Sequence, residues 1–112
     1  MDFNFSEDQE QLRDTVKRWV AKDYTFERRN KIITAGNGKG GFDAGVYQEL
    51  ADLGLCGLNV PESHDGLGMG AVDAMVVMEE LGRGMVMEPI GQTLIASRVL
   101  AAYGDAAIQT AW

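Results

Sequence analysis

The sequence predicts an all-α protein, an antiparallel helical bundle of about five helices. Three observations carry that prediction. Apolar residues recur at three- and four-residue spacing early in the chain, at Phe5, Leu12, Val16, Trp19 and Val20. Helix-starting residues (Ser6, Asp43, Pro89, Asp105) and helix-stopping glycines (Gly54, Gly82, Gly84, Gly104) punctuate the chain at helix-length intervals. The run from Ala71 to Leu81 leaves almost no polar face, as in a helix buried among other helices.

Composition sets the outer limits. The 112 residues make one domain, large enough to bury about two thirds of the surface its unfolded chain exposes. With 46% hydrophobic and 24% charged residues, the chain is globular and not disordered. No apolar run reaches the roughly 18 residues a membrane span needs. The acidic start MDFNFSEDQEQ is neither a secretory signal nor an Arg-rich transit peptide, so a cytoplasmic location is expected. Cys56 is the only cysteine and His64 the only histidine, which leaves no disulfide and no closed metal site. The net charge of −7 is uneven: residues 1–42 carry 8 basic and 7 acidic side chains, residues 43–112 only Arg83 and Arg98 against 10 acids. Such a surface repels phosphate backbones, which excludes nucleic acid as a partner and places the phosphates of any anionic cofactor elsewhere.

The elements follow in order. Ser6 and Gln9 form a capping box, with Glu7 and Asp8 where the helix dipole favours negative charge, and the stripe behind them predicts a helix over Glu7–Lys22. Residues 23–41 weaken as structure: Glu27-Arg28-Arg29 could extend the helix, but the Gly-rich run Ala35–Gly41 reads as a flexible connection. Its Gly38-Lys39 pair lacks the Ser or Thr and the preceding strand of a P-loop. Asp43 caps a helix with Val46, Tyr47, Leu50 and Leu53 on its apolar face, and Gly54 is placed to end it in the left-handed conformation. Leu55–Val60 is extended or a tight turn, and Pro61–Gly70 is loop. After the helix Ala71–Leu81, Glu88 and Pro89 begin another that runs to about Tyr103. Asp105 caps a last short helix pairing Ile108 with Trp112. A chain stopping at an apolar residue in an uncapped second turn is expected to be the front part of a longer protein.

Gly66-Leu67-Gly68-Met69-Gly70-Ala71 offers a rival reading. It matches G-x-G-x-x-A ahead of a helix, and Glu88 follows near where the ribose-binding acid of a dinucleotide-binding βαβ unit belongs. Pro61, Glu62 and Asp65 stand where the buried first strand should be, which counts against it. The plain alternative is a loop whose glycines need positive φ angles. Met75, Met78, Met85 and Met87 likewise read as core filler, and Glu79-Glu80 as a solvated or capping pair. The residues alone therefore lead to a helical domain, which could stand free as an interaction module.

Three motifs in order go further. F-x-F-S-E-x-Q-x-x-L-R-D-x-V runs from Phe3 to Val16, L-A-D-L-G-L-C-G-L-N-V-P-E-S from Leu50 to Ser63, and an apolar helix closes in M-E-E-L-G-R-G from Met78 to Gly84. Together they resemble the N-terminal helical domain of the acyl-CoA dehydrogenases over essentially the whole chain. Asp65-Gly66 departs from the two adjacent glycines usual in that family. The resemblance implies a flavoprotein that oxidises an acyl-CoA thioester to its 2,3-enoyl form. A glutamate base takes the α proton and flavin N5 the β hydride. Both groups lie in a middle β domain and a C-terminal helical bundle absent here, so this segment alone is expected to be inactive. FAD, the acyl-CoA, the rest of the same polypeptide and a homo-oligomer are the implied partners. An acyl-CoA oxidase or nitroalkane-oxidising relative shares the scaffold. By resemblance, Met85, Met87, Ile90, Thr93 and Leu94 map to one wall of the acyl-chain cavity, although each also reads as an ordinary core residue. No catalytic or metal-binding residue is expected in this chain.

Overall fold

A computed structural model describes residues 4–36 and 41–112. Among them the regular structure is entirely helical: α1 (Glu7–Asp23), α2 (Phe26–Ala35), α3 (Ala44–Asp52), α4 (Ala71–Arg83), α5 (Ile90–Tyr103) and α6 (Ala106–Ala111), with single 3-10 turns at Leu55–Gly57 and Glu62–His64. The all-α expectation holds, with one helix more than expected.

The capping signals act as read. Gln9 N–H donates to Ser6 Oγ at 3.2 Å, and Gln9 Oε1 accepts from Ser6 N–H at 2.9 Å. Asp43 Oδ1 accepts from the Gly45 and Val46 amides, Asp105 Oδ1 from the Ile108 amide, and Gly54 leaves α3 at φ 89°. The additional helix, α2, starts because Thr25 is an N-cap whose hydroxyl accepts from Arg28 N–H at 3.2 Å. It is then fastened by Ile32 in the core and by Arg28, which bonds the Asp23 carbonyl at 2.7 Å and pairs with Glu49 at 2.9 Å. The Gly38-Lys39 pair lies outside the described residues.

The core is one cluster. Val16, Trp19 and Tyr24 at the end of α1 meet Val77 and Leu81 of α4, while Val46 and Leu50 of α3, Leu55 and Leu58 of the following turn, and Ile90 and Leu94 of α5 complete it. α1 packs along α4, and α3 and α5 both pack on the Leu55–Gly57 turn. The radius of gyration, 15.1 Å, exceeds the roughly 13 Å of a compact globule of this length, and the molecule is a slab 40 × 38 × 21 Å. The apolar α4 shows the consequence. Val72, Met75 and Met78 are exposed on it, as are Ile95, Val99 and Tyr103 on α5. The sequence suggested full burial of α4; this chain by itself covers only one side.

Candidate functional site

The five residues of the expected wall lie on the α4–α5 crossover and the first turns of α5, with differing exposure. Ile90 is fully buried and Leu94 nearly so, both within the core. Met87 is half-buried against that core, and Met85 projects outward, 59% exposed. Thr93 is half-buried and spoken for: its hydroxyl donates to the Pro89 carbonyl at 2.8 Å, so the Tyr47 hydroxyl 2.7 Å away must donate to it. A Thr93 hydroxyl turned to donate to the phenolate would lower the Tyr47 pKa, but burial and the neighbouring Cys56 outweigh it and hold the phenol above its usual value. Tyr47 is thus a proton donor that ties α3 to α5.

One open groove reaches this region. Ala71, Ala74 and Met78 of α4, Gly91, Leu94, Ile95 and Arg98 of α5, and Asn59 line a space of about 290 Å³. Leu94 is the only one of the five that lines it. A second opening of similar size lies between the 60–64 turn and the end of α5, and includes His64, Ser97, Gln109 and Trp112. Among the described residues no three His, Cys, Asp or Glu side chains converge to hold a metal.

The crossover is held by polar contacts that its own sequence does not announce. α4 ends with Met85 N–H bonded to the Gly82 carbonyl and Val86 N–H to the Leu81 carbonyl, each at 3.0 Å. This is a Schellman closure, and its left-handed residue is Met85 at φ 52°. Gly84, where a left-handed glycine would be expected, is right-handed instead. A Cβ on Gly84 would meet Val20 Cγ1 at 2.5 Å, so the glycine serves the close approach of α1 to α4. Arg29 Nε then donates to the Met85 carbonyl at 3.1 Å and Met87 N–H to the Tyr24 hydroxyl at 3.3 Å. Glu88, 5% exposed, receives the Asp43 N–H on Oε1 at 3.5 Å and faces the Tyr24 hydroxyl, while Oε2 has no partner. Burial pushes the Glu88 carboxyl above the usual carboxylate range, and burial likewise raises Tyr24. The sequence places Tyr47 on an apolar helix face and Glu88 at a helix start, but nothing in it singles out Tyr24 or marks the contacts these three make.

The Gly-rich loop uses its own amides internally. Gly66 N–H bonds the Pro61 carbonyl, Leu67 N–H that of Gly57, Gly68 N–H that of Val60, and Met69 N–H that of Leu58, all between 2.8 and 3.1 Å. Gly70 N–H is taken by Asp73 Oδ2 at 2.9 Å. The five loop amides from Gly66 to Gly70 are thus all occupied, with the Asp65 and Asp73 carboxylates alongside the start of α4. Of the loop's three glycines only Gly68, at φ 64°, is left-handed. A Cβ on Gly66 would instead fall against the Val60 main chain. With a 3-10 turn over Glu62–His64 in place of a strand, the dinucleotide-binding reading is overturned. The same amides and charges do not fit the phosphates of FAD.

Residues 6–112 match the family described as acyl-CoA dehydrogenase, N-terminal domain. The chain belongs to the acyl-CoA dehydrogenase family. An acyl-CoA dehydrogenase of Mycolicibacterium smegmatis is 34% identical over 100 residues, covering 88% of this chain and 31% of that protein. The benzylmalonyl-CoA dehydrogenase of Aromatoleum aromaticum is 30% identical over 112 residues, covering 96% of this chain and 28% of its own. The mitochondrial isovaleryl-CoA dehydrogenase of Pongo abelii is 30% identical over 78 residues, covering 70% and 18%. This acyl-CoA dehydrogenase domain thus spans about 30% of the first two relatives' length. Asp65 is left-handed, at φ 63° and ψ 22°, a conformation glycine adopts without cost. Among the described residues no helix is long and apolar enough to cross a membrane.

Proposed function

We propose that this domain is the front part of an FAD-dependent enzyme that oxidises an acyl-CoA thioester to the 2,3-enoyl-CoA. The observation that carries the reading is the family match across residues 6–112. The acceptors of the α proton and the β hydride lie in a middle β domain and a C-terminal helical bundle outside this chain. FAD is held there too, in keeping with the occupied amides of the Gly-rich loop. This chain contributes one wall of the acyl cavity and no catalytic group. Met85, Met87 and Leu94 form the surface of that wall, and Ile90 and Thr93 back it from the core and from Tyr47.

The surface supports a domain built to be covered. A compact monomer of 12.2 kDa exposes roughly 6,100 Å², whereas this chain exposes 7492 Å². The difference is of the order of one partner's share of a protein interface. The exposed apolar side chains of α4 and α5 are its natural location, to be covered by the rest of the polypeptide and, in a homo-oligomer, by further copies.

The test uses the full polypeptide that carries this domain. It is expected to purify yellow and to bleach when an acyl-CoA is added anaerobically, while the 112-residue chain alone does neither. A full polypeptide that shows no flavin absorbance even after FAD is supplied would refute the reading and favour a helical interaction module.

A further inference from the structure

Met85 and Met87 sit on the six-residue crossover 84–89, which has no regular structure of its own. Three sequence-distant segments hold it. Arg29 of α2 holds the Met85 carbonyl, Tyr24 at the end of α1 accepts from the Met87 amide, and Asp43, the cap of α3, donates its amide to Glu88. Glu88 is where these ties meet, because the Tyr24 hydroxyl that holds Met87 also faces the Glu88 carboxylate. The charged and titratable groups around it are Tyr24, Asp43 and, beyond Tyr24, Arg29; none forms an ion pair with it among the described residues.

A carboxylate in this place is expensive to the fold. It is almost fully buried, one oxygen is unpartnered, and no cation compensates it. An apolar residue of similar size would fill the volume at less cost. What it could not do is accept a main-chain N–H from α3 while engaging the phenol that fixes Met87. The polar contacts therefore serve placement of the crossover more than stability of the core.

We propose that Glu88 is a positioning residue for acyl-chain specificity: its carboxyl group, held between Tyr24 and the Asp43 amide, fixes the course of residues 85–89 and so the placement of Met85 and Met87. The proposal rests on the reading of these residues as a cavity wall. Glu88 itself touches no substrate and takes no proton from one.

The experiment compares wild type, Glu88→Ala, Glu88→Gln, Tyr24→Phe and Met87→Ala in the full polypeptide. Straight-chain acyl-CoAs of graded length are assayed with an artificial electron acceptor, and hydrogen exchange is followed over residues 85–89. Glu88→Ala and Tyr24→Phe are expected to speed that exchange about tenfold. Glu88→Ala is also expected to shift the kcat/KM ratio between the preferred acyl-CoA and its longer neighbours about tenfold, leaving kcat on the preferred one within about threefold. Gln, which keeps an acceptor oxygen, restores both. Tyr24→Phe keeps the stacking of this ring on Trp19 (centroids 5.5 Å apart) and serves if the Ala variant fails to fold. Unchanged exchange in both variants overturns the proposal. Faster exchange without a specificity shift, while Met87→Ala does shift it, overturns the positioning role alone. If Met87→Ala shifts nothing either, the wall reading falls and the proposal with it.

Discussion

At position 85 glycine should stabilise the protein relative to alanine, the reverse of the rule inside a helix. Met85 closes α4 at φ 52°, and an L-residue held in that region costs about 1–2 kcal/mol. Comparing Met85→Ala with Met85→Gly isolates this cost, because both variants remove the same thioether chain. Glycine's greater freedom in the unfolded chain takes back roughly 0.5–1 kcal/mol, leaving it ahead by about 1 kcal/mol. With about 2.1 cal/mol/K of unfolding entropy per residue, that difference moves Tm by about 4 °C for a chain of 112 residues. Gly82, inside α4 with nothing within 4 Å of an added Cβ, is the control. There alanine should win by roughly 0.5–1 kcal/mol. Gly84→Ala should lose about 1–3 kcal/mol, since its Cβ would meet Val20. Thermal and urea denaturation of the four variants decides the matter. If alanine equals or exceeds glycine at 85, Met85 is not the left-handed closing residue and the account of this helix end is wrong.

Gly66→Ala is expected to cost about 1–3 kcal/mol in urea denaturation, because its Cβ would lie 2.5 Å from Val60 Cβ and against the Val60 carbonyl. Asp65→Gly should be neutral or stabilising by up to about 1 kcal/mol and Asp65→Val destabilising by more than that, since position 65 is left-handed. Equal stability of the two would refute it. Glu88 sets a pH dependence: its carboxyl is raised in the fold, so the stability linked to its proton is fully present below the ordinary pKa of about 4.3 and is lost as pH rises through the folded value. Glu88→Gln should therefore be more stable than wild type at neutral pH, with the gap closing as pH falls toward 4.3; a gap constant with pH would refute the burial argument.

What the sequence made legible was local. Ser6 with Gln9, Asp43, Asp105 and Gly54 are caps whose partners lie within four residues, so their pattern carries their structure. α2 escaped because its one start signal, Thr25, follows directly on α1, and its fastenings, Glu49 and the core around Ile32, are distant in sequence. The glycines were legible as punctuation but not as to cause. Gly66 and Gly84 are required by what lies against them, Val60 and Val20, and only the fold supplies those neighbours. At the candidate site the segment was marked by family pattern, yet Thr93 bonded to Tyr47 and Glu88 buried beside Tyr24 depend on pairs more than 40 residues apart. No period or motif encodes such pairs.

The two sides of the slab obey different logic, and this bears on how the domain works. On the inner side α1, α2 and α3 fix the α4–α5 crossover by directional contacts: Arg29 to Met85, Tyr24 to Met87, Asp43 to Glu88 and Tyr47 to Thr93. Hydrogen bonds contribute little net stability, but an unmade one in a buried place is costly, so they select one arrangement over its neighbours. On the outer side Val72, Met75, Met78, Ile95 and Val99 offer apolar area without direction. Such a face accepts whatever shape covers it and stabilises in proportion to area. The cavity wall proposed above requires the first property where it would meet an acyl chain and the second where it would join the rest of the protein. On the crossover, Met85 exposes its side chain while its carbonyl is held by Arg29. Substitutions on the outer side should thus alter assembly with the rest of the polypeptide, and those among the polar ties should alter selectivity.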